Sequence, residues 1–175
     1  MFMVTPNTAQ ADRLKKIFRR VKAIYGTIPA QMEFLGNIDA QYLEAFIANV
    51  VRIARHPNIE PDLFGFLRLH TAWREDYAFC KQFNSDLLLT RGYTQEQLDA
   101  AIADIATVPF DSRHQALAVH AIRSIFEPQT ITQESLDTLM AMGWTQKDIF
   151  DALSHTGDLL KNGRILTAYT SKEAQ

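Results

Sequence analysis

An all-α fold is predicted by three observations. Apolar residues recur three and four positions apart along almost the whole chain, no alternating apolar and polar run bounded by turn residues stands out, and the periodic stretches are punctuated by residues that stop and start helices. A strand would repeat every second residue, so the spacing decides the class.

The first helix is predicted from about Ala9 to Tyr25. Leu14, Ile17, Phe18 and Val21 form its apolar stripe, and Arg13, Lys15, Lys16, Arg19, Arg20 and Lys22 form a solvated basic face. Gly26 stops it, because a residue without Cβ accepts the left-handed closing conformation. A second helix runs from about Asp39 to Arg55 with Leu43, Phe46, Ile47, Val50 and Ile53 inward, ended by the His-Pro-Asn turn. Pro61 suits the first turn of the next, which carries Leu63, Phe64, Leu67 and Leu69. The stretch EDYAFCKQFNSDLLLTRGYTQEQ supplies another, with Glu75 and Asp76 in its first turn and Gly92 as its stop. Thr94 and Gln97 form a capping-box signature before Leu98, Ala101 and Ile105. Asp111 caps a helix containing Ala116, Ala118, Ile122 and Ile125, and two further helices fall near 132–142 and 146–169.

The 175 residues, 47% of them apolar, suffice for one sizeable core. The reading is a single domain over 1–175, with N-terminal helices at about 9–55 and a core at about 61–170. Eighteen Lys and Arg against twenty Asp and Glu leave a net charge of -2, so no global field favours nucleic acid or an anionic membrane. No segment approaches the roughly 18 consecutive apolar residues of a membrane span, and no secretion signal is evident. One cysteine excludes an internal disulfide or a CxxC pair and suits a reducing cytoplasm.

An internal echo stands out. DLLLTRGYTQEQLDAA at 86–101 matches DTLMAMGWTQKDIFDA at 137–152 with a constant offset of 51, each copy reading helix, glycine, aromatic, threonine cap, helix. Two related helical hairpins in one bundle are therefore expected.

For chemistry, Tyr77, Cys80 and Asn84 should share one helix face, near Phe83 and Leu87. Cys80 reads either as a thiol activated by a nearby cation or base, or as a small buried core residue. His70, beside Glu75 and Asp76 in sequence, reads as a proton relay or as a satisfied histidine. His114 and His120 are spaced for different faces, so no metal site is expected, and His155 four residues after Asp151 reads as a helix-surface pair. Asp158, Asn162 and Arg164 decorate an interface, a pocket or plain surface. With no phosphate-cradling glycine loop and no nucleophile elbow, no cofactor is expected.

YAFCKQFNSDLLLTRGYTQEQLDAAIAD, followed by FDSRHQALAVHAIRSIFEPQTITQESLDTLMAMGWTQKDIFDALSHTGDLLKNGRILTAY, resembles the alkylhydroperoxidase-D-like or carboxymuconolactone decarboxylase superfamily over most of the chain beyond about residue 35. The resemblance implies an all-helical fold and a homo-oligomer, whether trimer, hexamer or dimer. Its peroxidase branch uses a CxxC pair, a following histidine and an upstream glutamate. Cys80 matches the second cysteine, Tyr77 stands at the first, Asn84 stands where many members have histidine, and LFGF at 63–66 offers no glutamate. A dithiol cycle cannot run here, since a phenol cannot resolve a sulfenic acid as a disulfide. What the resemblance implies is a peroxidase-related protein with a one-cysteine site at Cys80 and a small thiol as reductant, with Tyr77, Asn84, His70 and Glu75 as its neighbours. The alternatives are an oligomeric scaffold or ligand-binding protein that lost the dithiol site, and acid–base chemistry on a small carbonyl compound through His70, Glu75 or His155.

Overall fold

Residues 10–170 are described by the computed structural model, and among them lie nine α-helices: α1 (Ala11–Tyr25), α2 (Ala30–Ile38), α3 (Ala40–Ala54), α4 (Pro61–Arg74), α5 (Ala78–Thr90), α6 (Gln95–Ala103), α7 (Ser112–Phe126), α8 (Gln133–Ala141) and α9 (Gln146–Ala168). The predicted start of the first helix near residue 9 lies outside the described residues. No helix among those described is long and apolar enough to cross a membrane. The chain divides into two compact units, one comprising 10–55 and 165–170 of the described residues, the other His56–Arg164.

In the first unit, α1 buries Leu14, Ile17 and Val21 and exposes all six of its predicted basic residues. Gly26 closes it with φ 74°, as expected. Helix α2 was not anticipated from the sequence: it is short and carries Gly36 in its interior, a residue that ordinarily weakens helices. The glycine is there for contact, since a Cβ would come within 2.8 Å of Leu14 and 2.9 Å of Leu43. Asp39 caps α3 by accepting from the backbone N–H groups of Gln41 and Tyr42. Of the predicted inward residues, Leu43, Ile47 and Ile53 are buried and Phe46 and Val50 half-buried.

The second unit is built around α4, which begins at Pro61 as predicted and is buried on every side: Leu63, Phe64, Gly65, Phe66, Leu67, Leu69, Thr71 and Ala72 all lie inside. An all-round apolar helix marks a core element. It packs on α5, α6 and α7.

The echo in the sequence is an echo in the backbone. Gly92 and Gly143 adopt φ 95° and 90°. Gly92 N–H donates to the Leu89 carbonyl and Tyr93 N–H to Leu88, while Gly143 N–H donates to Met140 and Trp144 N–H to Leu139. Both are the paired hydrogen bonds of a Schellman helix end, with an aromatic residue just past the glycine. Thr94 then caps α6 in a reciprocal box with Gln97, and Thr145 opens α9 through a reciprocal pair with Asp148. The two aromatics belong to one continuous row of ring contacts, Phe66, Tyr93, Phe110, His114 and Trp144, with centroid separations of 5.0 to 6.2 Å.

A third helix end repeats this arrangement without a glycine. Asp76 takes φ 57°, Asp76 N–H donates to the Trp73 carbonyl and Tyr77 N–H to Ala72. The expectation that Glu75 and Asp76 occupy the first turn of a new helix is thus corrected: they close α4, and α5 starts at Ala78. Aspartate is among the few residues that tolerate this conformation, and Lys81 pairs with its carboxylate.

Candidate functional site

Tyr77, past the helix end just described, leads α5 back along α4. Of the three residues expected on one helix face, Cys80 and Asn84 lie on α5, whereas Tyr77 precedes its first residue. Cys80 and Asn84 lie one turn apart and both face inward, and the Asn84 side-chain amide donates to the Cys80 carbonyl at 2.7 Å. Tyr77 and Cys80 form an apolar nest with Ala72, against which Leu159 and Leu160 of α9 pack. The phenol hydroxyl faces the Leu160 carbonyl at 3.3 Å and the Glu75 carboxylate at 3.5 Å, and Arg164 donates to that same carboxylate. Helix α9 approaches this ring so closely that a Cβ on Gly163 would lie 2.2 Å from a ring carbon. Burial, with the Glu75 charge adding to it, raises the phenol's pKa against the opposing Arg164 hydrogen bond.

Arg68 of α4 supplies the charge of this centre. Its Nε donates to Asn84 Oδ1 at 2.8 Å, and its Nη1 lies 2.8 Å from His155 Nε2. A guanidinium only donates, so His155 Nε2 accepts and its proton sits on Nδ1. The His155 ring also meets the Phe64 edge at 5.0 Å. Burial dominates the Cys80 thiol and pushes its pKa from 9.0 up to about 11, with the Arg68 charge pulling the other way. At pH 7 about one molecule in ten thousand carries the thiolate.

Several expectations are corrected here. His155 and Asp151 are not a surface pair, since both are buried. Asp151 Oδ2 instead lies 3.3 Å from His56 Nε2 and accepts from Lys147. His56 Nδ1 accepts from the backbone N–H groups of Asn58 and Ile59, which places its proton on Nε2, facing Asp151 and, at 3.6 Å, Asp148. Burial disfavours the charged Asp148, but bonds from Thr145 and Asn58 and the nearby His56 outweigh it and hold the pKa below its usual value. His70 is half-buried and bonds the Ala101 carbonyl of α6 at 2.9 Å, so it is directed at α6 while the thiol packs against α9. His70, Glu75 and His155 thus engage three different sets of partners. His114 bonds Asp111, and no group of three or more potential metal ligands occurs among the described residues.

Arg68 and the His56 cluster escaped sequence reasoning as site residues, and His155, a candidate there only for acid–base chemistry, instead meets Arg68. One signal was available: in LFGFLRL, at 63–69, a single arginine interrupts an otherwise apolar run. Within that run Gly65 stands in the neighbourhood where the resembled family has glutamate. A Cβ there would meet Leu88 at 3.0 Å, so the space is filled.

The same helical arrangement occurs in solved structures. An uncharacterized peroxidase-related protein from Silicibacter sp. superposes with a TM-score of 0.77 at 15% identity, covering 90% of this chain and 83% of that one. An uncharacterized peroxidase-related protein from Ralstonia eutropha, an alkylhydroperoxidase AhpD core, superposes with a TM-score of 0.78 at 14% identity, covering 95% and 88%. The chain has the alkylhydroperoxidase-core fold. The all-helical architecture expected from the resemblance is borne out. At these identities the alkylhydroperoxidase core names a scaffold, and activity has to be argued from the residues it carries. No family model and no curated protein matches the sequence.

Proposed function

We propose that this alkylhydroperoxidase-fold protein is a one-cysteine, thiol-dependent hydroperoxide reductase acting through Cys80, slow at neutral pH because its thiol is held protonated. The observation that supports this reading is the Arg68 charge acting on the Cys80 thiol from a fixed position, braced by Asn84 and His155. An arginine there favours the thiolate and can bind a peroxide oxygen. The Cys80 thiolate attacks the terminal oxygen of ROOH, the O–O bond breaks, and the departing alkoxide takes a proton to become ROH. Cys80 is left as a sulfenic acid. A small external thiol then displaces water to give a mixed disulfide, and a second releases Cys80 as thiolate and leaves as the disulfide of the reductant. Tyr77 takes no electrons in this cycle. It shapes the wall beside the sulfur. A homo-oligomer in a reducing, cytoplasmic setting completes the reading, and light scattering after size exclusion reports the oligomer.

Purified protein should consume a hydroperoxide in the presence of a small thiol, and Cys80→Ser should abolish that consumption while leaving the fold intact. Turnover that survives the substitution would end the proposal.

A second reading is favoured by the nest around the sulfur: an oligomeric scaffold or small-ligand-binding protein whose cysteine is a packing residue. It requires that Cys80 resist peroxide in the folded state and react normally once the chain is unfolded.

A further inference from the structure

Helices α7 and α8, with the turn residues before α8, enclose an open groove of about 580 Å³ that shares no residue with the Cys80 centre. That volume is in the range of small-molecule sites. Val119, Ile131 and Leu139 give it apolar walls, and His120, Arg123 and Glu134 give it charge and hydrogen-bonding capacity.

The polar groups along the groove differ in what they have left to offer. The Ser135 and Thr138 hydroxyls donate to the Thr132 and Glu134 carbonyls, and the Gln115 amide donates to the Val108 carbonyl. His120 is only 7% exposed, yet its ring makes no hydrogen bond to any described residue. Its electrostatic neighbour is Arg123, which with the larger effect of burial lowers the imidazole pKa. A neutral imidazole offers one donor and one acceptor, and on His120, which lines the groove, no described residue takes up either. Arg123 is exposed and forms no ion pair among the described residues.

We propose that this groove binds a small monocarboxylic acid with an apolar body, its carboxylate on Arg123, its body against Val119, Ile131 and Leu139, and a hydroxyl or carbonyl on His120. A guanidinium matches a carboxylate with two parallel hydrogen bonds. Glu134 on the same groove disfavours a second negative charge, which is why one carboxylate is specified.

The test uses 4-hydroxyphenylacetate as probe and its neutral primary amide as control. Titrations are followed by calorimetry and by the ¹⁵N shifts of the His120 ring. The expected result is saturable binding of the acid that moves the His120 nitrogens, weakened at least about tenfold in the amide and in Arg123→Gln, as loss of a charge-assisted hydrogen bond implies. Glu134→Gln should leave binding unchanged or tighten it. Equal affinity for acid and amide, binding indifferent to Arg123→Gln, or no saturable shift at His120 would overturn the proposal. Both substitutions are at exposed positions, so an unchanged amide spectrum verifies the fold. None of these outcomes bears on Cys80.

Discussion

Alkylation of Cys80 in the folded protein should accelerate roughly tenfold for each pH unit between 7 and 10 and level off only near pH 11. The cause is burial: the thiol is pushed up to about 11, and the Arg68 charge only partly offsets this. The thiolate is the reacting species, so its fraction sets the slope. An unfolded thiol, with an ordinary pKa of about 9, should level off some two units lower, and the folded rate at pH 7 should lie about a hundredfold below the unfolded one. A folded-state plateau near pH 8 would mean that Arg68 prevails over burial. The same shift has a sign in stability. A pKa raised by folding stabilises the folded chain fully below the unfolded value of about 9 and loses that contribution as pH rises toward 11, by about 3 kcal/mol. Denaturant titrations of the parent and Cys80→Ala at pH 8 and 11 should therefore converge in their alkaline loss only if Cys80 is not its source.

Replacing His56 by Leu should cost about 3–5 kcal/mol of stability, read as a fall in the denaturation midpoint, because it leaves two buried carboxylates without the imidazole between them. His56, Asp148 and Asp151 are all nearly inaccessible, and the imidazole proton faces Asp151. Replacing His56 and Asp151 together by leucine should cost less than the sum of the single changes, since an apolar pair needs no solvation. Full additivity would show that the two side chains are not coupled. On the acid side the sign is opposite to that of Cys80. Asp148 has its pKa lowered by folding, so its contribution is present above the ordinary carboxylate value and is lost as pH falls through the lowered one.

Residues that act locally were readable before any coordinates. Pro61 at a first turn, Thr94 with Gln97, Asp111 as a cap, and the glycines at 26, 92 and 143 all do what their chemistry dictates within a few positions along the chain. The hairpin repeat was readable because the same short-range rules appear twice. What stayed hidden depends on distant partners. Arg68 meets Asn84 and His155 across 16 and 87 positions, and His56 meets Asp151 across 95. Helical periodicity carries no information about such pairs. Asp76 was misread for a related reason: its acidic side chain suits a helix start, but the backbone needed a left-handed residue there and aspartate can supply it. Helix α2 was missed because Gly36 weakens the local signal while improving a contact that only the fold reveals.

The closeness of Gly163 to the Tyr77 ring binds the fates of two positions 86 apart in the chain. A side chain at 163 has no room while tyrosine stands at 77, and a cysteine at 77 would leave a phenol-sized hollow beneath a bare glycine. Restoring a CxxC sequence by one substitution would therefore yield two thiols in a loosened wall, not a working pair. The route between the two kinds of site runs through coordinated changes on α5 and α9, and each half-step along it is less well packed than either end.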